Sequence, residues 1–242
     1  YVVLLGNGDG TFRKLPNQSV AMENIIAADV DGDGVLDLVG GNGIINFLHG
    51  NGDGTFSAAV ITQTDTFVDG IATADLNGDG RLDLALSTEN GLHVLFGNGN
   101  GTFQKAVKYG SGYLNSVIAT DLNEDGHPDV AAAQAGGTAI CVLLNNGDGT
   151  LGPQKEYGLV TSGWDIMAAD FNRDGHVDLA ITDSEYLSIL AGRGDGSFQK
   201  AAKYGDNLGG AGGSRIAVGS FERNHLPDVA AAGSGVAKLL IQ

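Results

Sequence analysis

The stretch AADVDGDGVLDLV, residues 27–39, places Asp29, Asp31, Asp33 and Asp37 inside a segment whose other residues favour β-strand. Carboxylates held this close repel one another unless a multivalent cation compensates their charge. The stretch therefore predicts a cation-binding loop between two strands, and related stretches recur along the chain.

Two sequence markers repeat with one period. The acidic pattern reads DVDGDGVLDL from Asp29, DLNGDGRLDL from Asp75, DLNEDGHPDV from Asp121, DFNRDGHVDL from Asp170 and, in degraded form, SFERNHLPDV from Ser220, at intervals of 46 to 50 residues. A glycine turn, GNGDGTF or a variant of it, begins at Gly6, Gly50, Gly97, Asn145 and Gly192. A shared period of about 48 residues matches the four-stranded blade of a β-propeller.

Each unit contains four segments that read as strands, and no segment has helical periodicity. The strand before each acidic loop is rich in small residues, which suits an innermost strand crowded near a central axis. We expect an all-β propeller of four-stranded antiparallel blades in one domain, residues 1–242. The units span approximately 21–66, 67–112, 113–160, 161–210 and 211–242, the last completed by 1–20.

The two ends of the chain leave the number of blades open. Residues 1–5 and 237–241 both read as the third strand of a unit. Five repeats favour a five-bladed ring in which strands from both termini pair and remove an exposed sheet edge. An arc of a larger six- or seven-bladed ring is the alternative.

The acidic loops match the first nine positions of a calcium-binding loop, with oxygen side chains at positions one, three, five and nine and glycine at six. Position seven contributes its carbonyl. The predicted ligands are Asp29, Asp31, Asp33, Val35 and Asp37; Asp75, Asn77, Asp79, Arg81 and Asp83; Asp121, Asn123, Asp125, His127 and Asp129; and Asp170, Asn172, Asp174, His176 and Asp178.

These ligands favour about four calcium ions. An all-oxygen set suits calcium better than a transition metal, which prefers His or Cys, and magnesium is the weaker candidate because it demands a small octahedral site. In the fifth loop Ser220, Glu222, Asn224 and Asp228 keep oxygens, but His225 replaces the glycine. We expect that loop to be empty or weak.

The combination of DLNGDGRLDL and GNGDGTF once per unit closely resembles the FG-GAP/VCBS repeats of integrin-α-type β-propellers. The resemblance spans essentially the whole chain. It implies calcium in the hairpin between the first and second strands, and a secreted or surface module for adhesion or lectin-like recognition. The chain lacks a consistent Phe-Gly and Gly-Ala-Pro pair, so it is nearer to the bacterial and fungal repeats than to the integrin ones.

The amino-acid composition limits the classes of molecule that the protein is expected to bind. The formal charge is −16, from 29 acidic and 13 basic residues, which disfavours nucleic acid and anionic membrane surfaces. No window approaches a membrane span, and the start YVVLLGNGDG lacks the features of a secretory signal. The single cysteine excludes an internal disulfide. An extracellular or cell-surface location is the expectation.

Candidate ligand-binding residues lie in the connections that differ between repeats, at the end of the sheets opposite the acidic loops. They combine aromatic and polar groups, as a sugar site does, and are Phe67, Asp69, Tyr113, Asn115, Trp164, Asp165 and Arg215. The expected ligand is a carbohydrate or a surface glycoprotein.

Three further patterns have local explanations. The side chains of His127 and His176 are expected to face solvent and not to bind zinc. Tyr109, Tyr157 and Tyr204 recur at one place in the unit, which favours a packing role. Arg193, Gly194 and Asp195 spell an integrin-recognised tripeptide, but they occupy a glycine turn and are interpreted as part of a hairpin.

No catalytic constellation is recognised, so the sequence favours a binding protein and not an enzyme. The alternatives are a structural or assembly-forming propeller without a small ligand, and a polysaccharide-acting enzyme or its accessory domain.

Overall fold

The computed structural model describes residues 1–20, 22–137, 139–159, 162–183, 185–204, 215–221, 226–233 and 236–240, with Gly233 and 236–240 described by backbone alone. Every regular element in these residues is a β-strand. No helix of the described residues has the length and apolar character needed to cross a membrane.

Four antiparallel sheets have four strands each, in chain order across the sheet. The first contains β3 (Ile26–Ala28), β4 (Asp37–Gly40), β5 (Ile44–Leu48) and β6 (Val60–Gln63). The second contains β7 (Val68–Ala74), β8 (Asp83–Thr88), β9 (Gly91–Leu95) and β10 (Val107–Tyr109). The third contains β11 (Leu114–Thr120), β12 (Asp129–Gln134), β13 (Ala139–Leu143) and β14 (Lys155–Gly158). The fourth contains β15 (Gly163–Ala169), β16 (Asp178–Asp183), β17 (Leu187–Leu190) and β18 (Ala202–Tyr204).

The first strands of successive sheets contact one another, because β7 lies against both β3 and β11, and β15 lies against β11 and β19 (Arg215–Gly219). This places them innermost, as their small residues predict. The second strands β8, β12 and β16 are buried over nearly their whole length. Neighbouring sheets cover both faces of these strands. This explains why consecutive residues in the middle of each strand are apolar and do not alternate with polar ones.

The core lies between sheets. One cluster joins the third and fourth sheets through residues such as Ile140 and Ile181, and another joins the second and third through Leu92 and Val130. Further clusters lie between the first and second sheets and between the fourth sheet and the last one. The propeller fold is thus held by sheets packed face to face.

The recurring tyrosines pack between sheets, as predicted for two of them. The hydroxyl of Tyr109 donates to the carbonyl of Gly149 at 3.4 Å, and that of Tyr157 donates to the carbonyl of Gly196 at 3.2 Å. Each bond joins a fourth strand to the glycine turn of the following sheet. Tyr204, at the equivalent place in β18, is 44% exposed.

The terminal strands belong to different sheets. Among the described strands, β1 (Leu4–Gly6) pairs only with β2 (Phe12–Lys14). This hairpin packs on the first sheet, where the rings of Tyr1 and Phe56 meet edge to face at 6.3 Å. At the other end, β19, β20 (Asp228–Gly233) and β21 (Val236–Leu240) form a three-stranded sheet.

The predicted pairing of the two ends is not found among the described strands, because β21 itself takes the third-strand place beside β20. Residues 1–20 contribute the hairpin of β1 and β2, and the completion of the last unit by these residues stays a prediction. The number of blades in a closed ring stays a prediction.

Candidate metal loops and the opposite loop face

Four acidic loops, residues 29–37, 75–83, 121–129 and 170–178, join the first strand of a sheet to its second strand. The glycine at position six has a positive φ in each, from 82° at Gly80 to 90° at Gly175. Only glycine adopts such angles without a steric penalty, so the pattern DGxxD turns sharply at this point. Position four also has a positive φ, and Glu124 and Arg173 adopt it there at 63° and 62°.

The carboxylate at position one gathers backbone donors. In the first loop Asp29 Oδ1 accepts from the N–H groups of Gly32 and Asp33, and Oδ2 accepts from Gly34. Asp75 repeats all three bonds, and Asp121 accepts from positions four and six. The hydrogen bonds to the position-one carboxylate therefore hold the backbone of the loop in a tight turn around that side chain.

The aspartate at position nine is fully buried and holds two motifs together. Asp83 Oδ2 accepts from the N–H of Leu76 at 2.9 Å, and its Oδ1 accepts from the N–H of Gly97, which begins the glycine turn, at 2.8 Å. Asp37, Asp129 and Asp178 make the equivalent two bonds. Burial raises the pKa of Asp83, Asp129 and Asp178, and the backbone donors oppose that shift. This residue explains why the two markers share a period.

The side chains fit a bound cation. In the first loop, carboxylate oxygens of Asp29, Asp31 and Asp37 lie within 4.8 Å of one another. In the fourth loop, Asp170 Oδ1 is buried and has no hydrogen-bond partner. A buried carboxylate oxygen without a donor is costly, and a divalent cation with oxygen ligands would satisfy it.

The second, third and fourth loops have Asn at position three instead of Asp. The Nδ2 groups of Asn77, Asn123 and Asn172 donate to the position-five carboxylate, at 2.9 to 3.3 Å. Their Oδ1 atoms accept from the position-five N–H. The amide thus orients the position-five aspartate, and its oxygen is the atom that a cation would use.

The sequence interpretation missed His49. This residue follows β5, and its Nδ1 lies 2.8 Å from Asp31 Oδ2 in the first loop. The hydrogen bond to Asp31 raises the pKa of His49, against the effect of burial. The pairing of Leu38 with Leu48 places His49 opposite Asp37, so the hairpin register was the signal that could have found it.

The residue at position seven stabilises the loop through its backbone and contacts the glycine turn through its side chain. Its N–H donates to the position-five carboxylate in all four loops, at Val35, Arg81, His127 and His176. Its side chain covers the glycine turn of the same sheet: a Cβ on Gly147 would lie 2.6 Å from the His127 ring, and one on Gly194 would lie 2.5 Å from the His176 ring.

The two histidines at position seven differ in their surroundings. His127 is exposed, as predicted. His176 does not simply face solvent, because its Nδ1 lies 2.5 Å from Glu124 Oε1 of the preceding acidic loop. That contact raises the pKa of His176.

The fifth loop is described only in part. Asp228 is buried and its Oδ2 accepts from the N–H of Phe221, which repeats the position-nine bond of the other loops. Ser220 lies next to this bond, whereas Glu222, Asn224 and His225 lie outside the described residues. The prediction of a weak or empty fifth site stays a prediction.

The tripeptide Arg193, Gly194 and Asp195 belongs to a glycine turn, as interpreted from the sequence. Asp195 Oδ1 accepts from both the N–H and the hydroxyl of Ser197. Asp53 and Asp148 make the same pair of bonds with Thr55 and Thr150. The aspartate therefore shapes the turn in every sheet where it occurs.

The opposite end of the sheets, here called the loop face, consists of the connections between sheets and between second and third strands. Phe67 and Tyr113 project from it, 60% and 45% exposed. The hydroxyl of Tyr113 lies 3.5 Å from Asp69 Oδ1, and Asp69 Oδ2 is buried without a hydrogen-bond partner. Burial raises the pKa of Asp69, and the bond from Tyr113 partly offsets this shift.

A pocket of about 250 Å³ lies beside Phe67. Its lining includes Phe67, the exposed carboxylates of Asp65 and Glu89, and the buried Thr66. The ring of Phe67 lies 3.9 Å from where a Cβ on Gly43 of the preceding sheet would be, so the ring rests close against that glycine. Sequence reasoning missed Glu89, which follows β8 in a turn.

Two of the seven candidate ligand residues, Asp165 and Asn115, make hydrogen bonds that join neighbouring sheets. Asp165 is only 8% exposed: its Oδ1 accepts from the hydroxyl of Ser116, and its Oδ2 accepts from the N–H of Ile216. Asn115 Nδ2 donates to the carbonyl of Gly163 at 2.7 Å. Both oxygens of Asp165 thus serve as acceptors across two sheet boundaries, and its contact with a ligand stays a prediction.

The last two candidates lie on the fourth and last sheets. Trp164 is partly buried, and its Nε1 is buried without a partner. Arg215 begins β19 and is exposed. Near Trp164, the fully buried Asp183 has an Oδ2 without a hydrogen-bond partner, and the sequence interpretation did not identify it.

Comparison with known structures supports the fold. The chain is similar to a lectin of Agrocybe aegerita that recognises non-reducing terminal N-acetylglucosamine, with 21% identity and a TM-score of 0.63, over 98% of this chain and 73% of the lectin. It is similar to part of the Photorhabdus luminescens Tc holotoxin pore, with 17% identity and a TM-score of 0.51, over 98% of this chain and 12% of the other. A third structure, BBS1N in complex with ARL6DN, has 8% identity and a TM-score of 0.53, over 91% of this chain and 79% of the other. At these identities the likeness shows the fold alone.

The family comparison rests on the repeats themselves. No curated protein matches the sequence at a significant level. A model of the FG-GAP-like repeat matches residues 29–86, 75–132, 121–181 and 170–231. Each match begins at the first aspartate of an acidic loop and ends within the second strand of the next sheet. The chain therefore belongs to the FG-GAP-like repeat family.

Proposed function

We propose that the protein is an extracellular, calcium-stabilised binding module that recognises carbohydrate on its loop face and has no catalytic activity. The observation that carries the proposal is the Asp69 carboxylate, which offers a buried acceptor without a donor beside two exposed aromatic rings. A sugar stacks its apolar face on an aromatic ring and donates its hydroxyls to a carboxylate. The N-acetylglucosamine recognition by the Agrocybe aegerita lectin supports this ligand class.

The charges of the loop face narrow the class of sugar. Asp65 and Glu89 line the pocket beside Phe67, and the charge of Glu89 also acts on Asp69. None of the described residues that line the pocket is Lys or Arg. Carboxylates repel sulfated and sialylated glycans and tolerate neutral ones. We therefore infer that the preferred ligands are neutral sugars.

The calcium part of the proposal rests on the acidic loops. Their oxygen-rich ligand sets, the clustered carboxylates of the first loop and the unpartnered Asp170 Oδ1 all favour a divalent cation. Extracellular calcium, near millimolar, fills even modest sites of this kind. The bound ions would stiffen the hairpins from which the sheets extend.

A glycan-array screen in calcium and in chelating buffer tests the proposal. We expect neutral glycans to bind, and calorimetry with the best of them should show at least about tenfold weaker affinity for Phe67→Ala. Phe12→Ala is the matched control, since Phe12 is 65% exposed but lies next to a glycine turn, at the opposite end of the sheets. Absence of any glycan ligand, or equal affinity in Phe67→Ala, Tyr113→Ala and wild type, would overturn the carbohydrate proposal.

A structural role is the second candidate, and a specific observation favours it. Asn115 and Asp165 use their polar atoms to join sheets on the loop face. If the glycan screen is negative and the protein forms a defined oligomer in native mass spectrometry, the structural role is preferred.

A further inference from the structure

One acidic loop has a neighbour that the others lack. The residue just before each glycine turn is His49 in the first sheet, Phe96 in the second, Leu144 in the third and Ala191 in the fourth. Strand register places this residue opposite the position-nine aspartate, because Leu38 pairs with Leu48 and Leu84 pairs with Leu95. Among the four loops that the structure describes in full, only the first therefore has a histidine opposite its position-nine aspartate.

The distances fit a shared ion. His49 Nδ1 lies 2.8 Å from Asp31 Oδ2 and 3.6 Å from Asp37 Oδ1. Two ligand atoms bonded to one zinc-like ion at about 2.0–2.2 Å each are separated by at most about 4.4 Å. Both separations fall within this limit, and His49, Asp31 and Asp33 offer ligand atoms that all lie within 4.8 Å of one another.

The ligand chemistry differs accordingly. Calcium takes oxygen ligands, whereas imidazole suits zinc and other first-row transition metals. The first loop also has a carboxylate, Asp31, where the other loops have the neutral Asn77, Asn123 or Asn172. The extra carboxylate strengthens the binding of any divalent cation, whereas the imidazole favours a transition-metal ion over calcium.

We propose that the first acidic loop contains a mixed nitrogen–oxygen metal site, in which a ring nitrogen of His49 joins Asp31 and Asp33 to bind a transition-metal ion of the zinc class. The all-oxygen loops of the other three sheets keep calcium. The inference rests on the proposed role of these loops as cation sites. The proposed site means that the four acidic loops differ in the metal ion that they prefer, although their backbone conformations are alike.

Cobalt(II) is the probe, because its visible absorption reports nitrogen and oxygen ligands directly. Metal-free protein receives one equivalent of Co²⁺ in millimolar Ca²⁺. We expect one Co²⁺ per chain to remain bound with a visible spectrum, and His49→Phe, the residue of the second sheet, to bind it at least about tenfold more weakly. His49→Gln keeps a polar side chain in case His49→Phe disturbs the hairpin, and it should show the same loss.

His93→Gln is the matched control, since it removes a histidine that lies on β9 and contacts Asn90. It should leave Co²⁺ binding unchanged, and calcium-supported thermal unfolding midpoints should be similar in all variants. Equal Co²⁺ affinity in wild type, His49→Phe and His49→Gln would overturn the inference, as would displacement of Co²⁺ by millimolar Ca²⁺. Failure of every loop to bind any divalent ion would instead overturn the proposed calcium role, so the two failures are distinguishable.

Discussion

At one end of the sheets the same hydrogen bonds recur in four acidic loops, whereas at the other end each connection between sheets has different residues and contacts. The position-nine aspartate accepts the same two N–H groups in every acidic loop. The loop face instead has exposed aromatic residues at one sheet boundary and a buried Asp165 at another. Repetition in this chain therefore accompanies structural bonds, and ligand specificity has to come from the residues that differ.

The largest expected effect tests the repeated end. Asp83→Ala removes the acceptor for the N–H groups of Leu76 and Gly97 and leaves both donors buried. We expect the free energy of unfolding to fall by about 2–5 kcal/mol, measured by urea denaturation. The loss should persist in chelating buffer because it comes from hydrogen bonds. Asp53→Ala, in an exposed glycine turn, is the control and should cost about 1 kcal/mol or less.

The second prediction tests the varied end. Asp165→Ala removes the acceptor shared by Ser116 and Ile216, so sheets three, four and five lose a common contact. We expect a loss of about 1–3 kcal/mol in the free energy of unfolding, equal in calcium and in chelator. Arg215→Ala, at an exposed position of the same face, should change stability by about 0.5 kcal/mol or less. An unaltered stability for Asp165→Ala would show that this aspartate is free for another role.

The third prediction separates metal binding from hydrogen bonding. Asp170→Asn replaces one oxygen of a carboxylate whose Oδ1 is buried without a partner. At calcium tenfold above the dissociation constant, one lost site costs about 1.4 kcal/mol. We expect this loss in calcium and little difference from wild type in chelator, both by thermal denaturation. An equal loss in both buffers would assign Asp170 a purely structural role.

The smallest effect concerns pH. The Thr150 hydroxyl, together with the Thr150 N–H, lowers the pKa of Asp148 below its ordinary value of 3.8. Since the folded-state pKa is the lower one, this bond stabilises the turn above that ordinary value and is lost as pH falls through the folded pKa. NMR titration should give a higher Asp148 pKa in Thr150→Val than in wild type. The turn with Asn100 makes the same bonds to Thr102 without a titrating group and serves as the internal control.

Much of this architecture could be predicted from the sequence. The period of the acidic loops and glycine turns, the small residues of the innermost strands and the positive-φ glycines are local signals, and the sheets follow them. The role of position nine could not be predicted, because its partners are backbone N–H groups 7 and 13 to 16 residues away. Every residue except proline has a backbone N–H group, so the type of the donor residue does not reveal such a bond.

Contacts between sheets also could not be predicted from the sequence. The sheet-joining hydrogen bonds of Asp165 and Asn115 could not be predicted, because their partners come from other repeats, 48 to 51 residues distant. His49 was missed for a related reason: its approach to Asp31 depends on the length of the turn between β4 and β5, which fixes the strand register. The third-strand character of both termini was recognised, but sequence alone did not show that β21 would take the place beside β20.

The most direct test of the central proposal counts the cations and measures their contribution together. Native mass spectrometry of protein equilibrated in calcium should find about four divalent ions per chain, and thermal unfolding should occur at a clearly higher temperature in calcium than in chelator. A chain that carries no divalent ions and unfolds at the same temperature in both buffers would contradict the role assigned to the acidic loops.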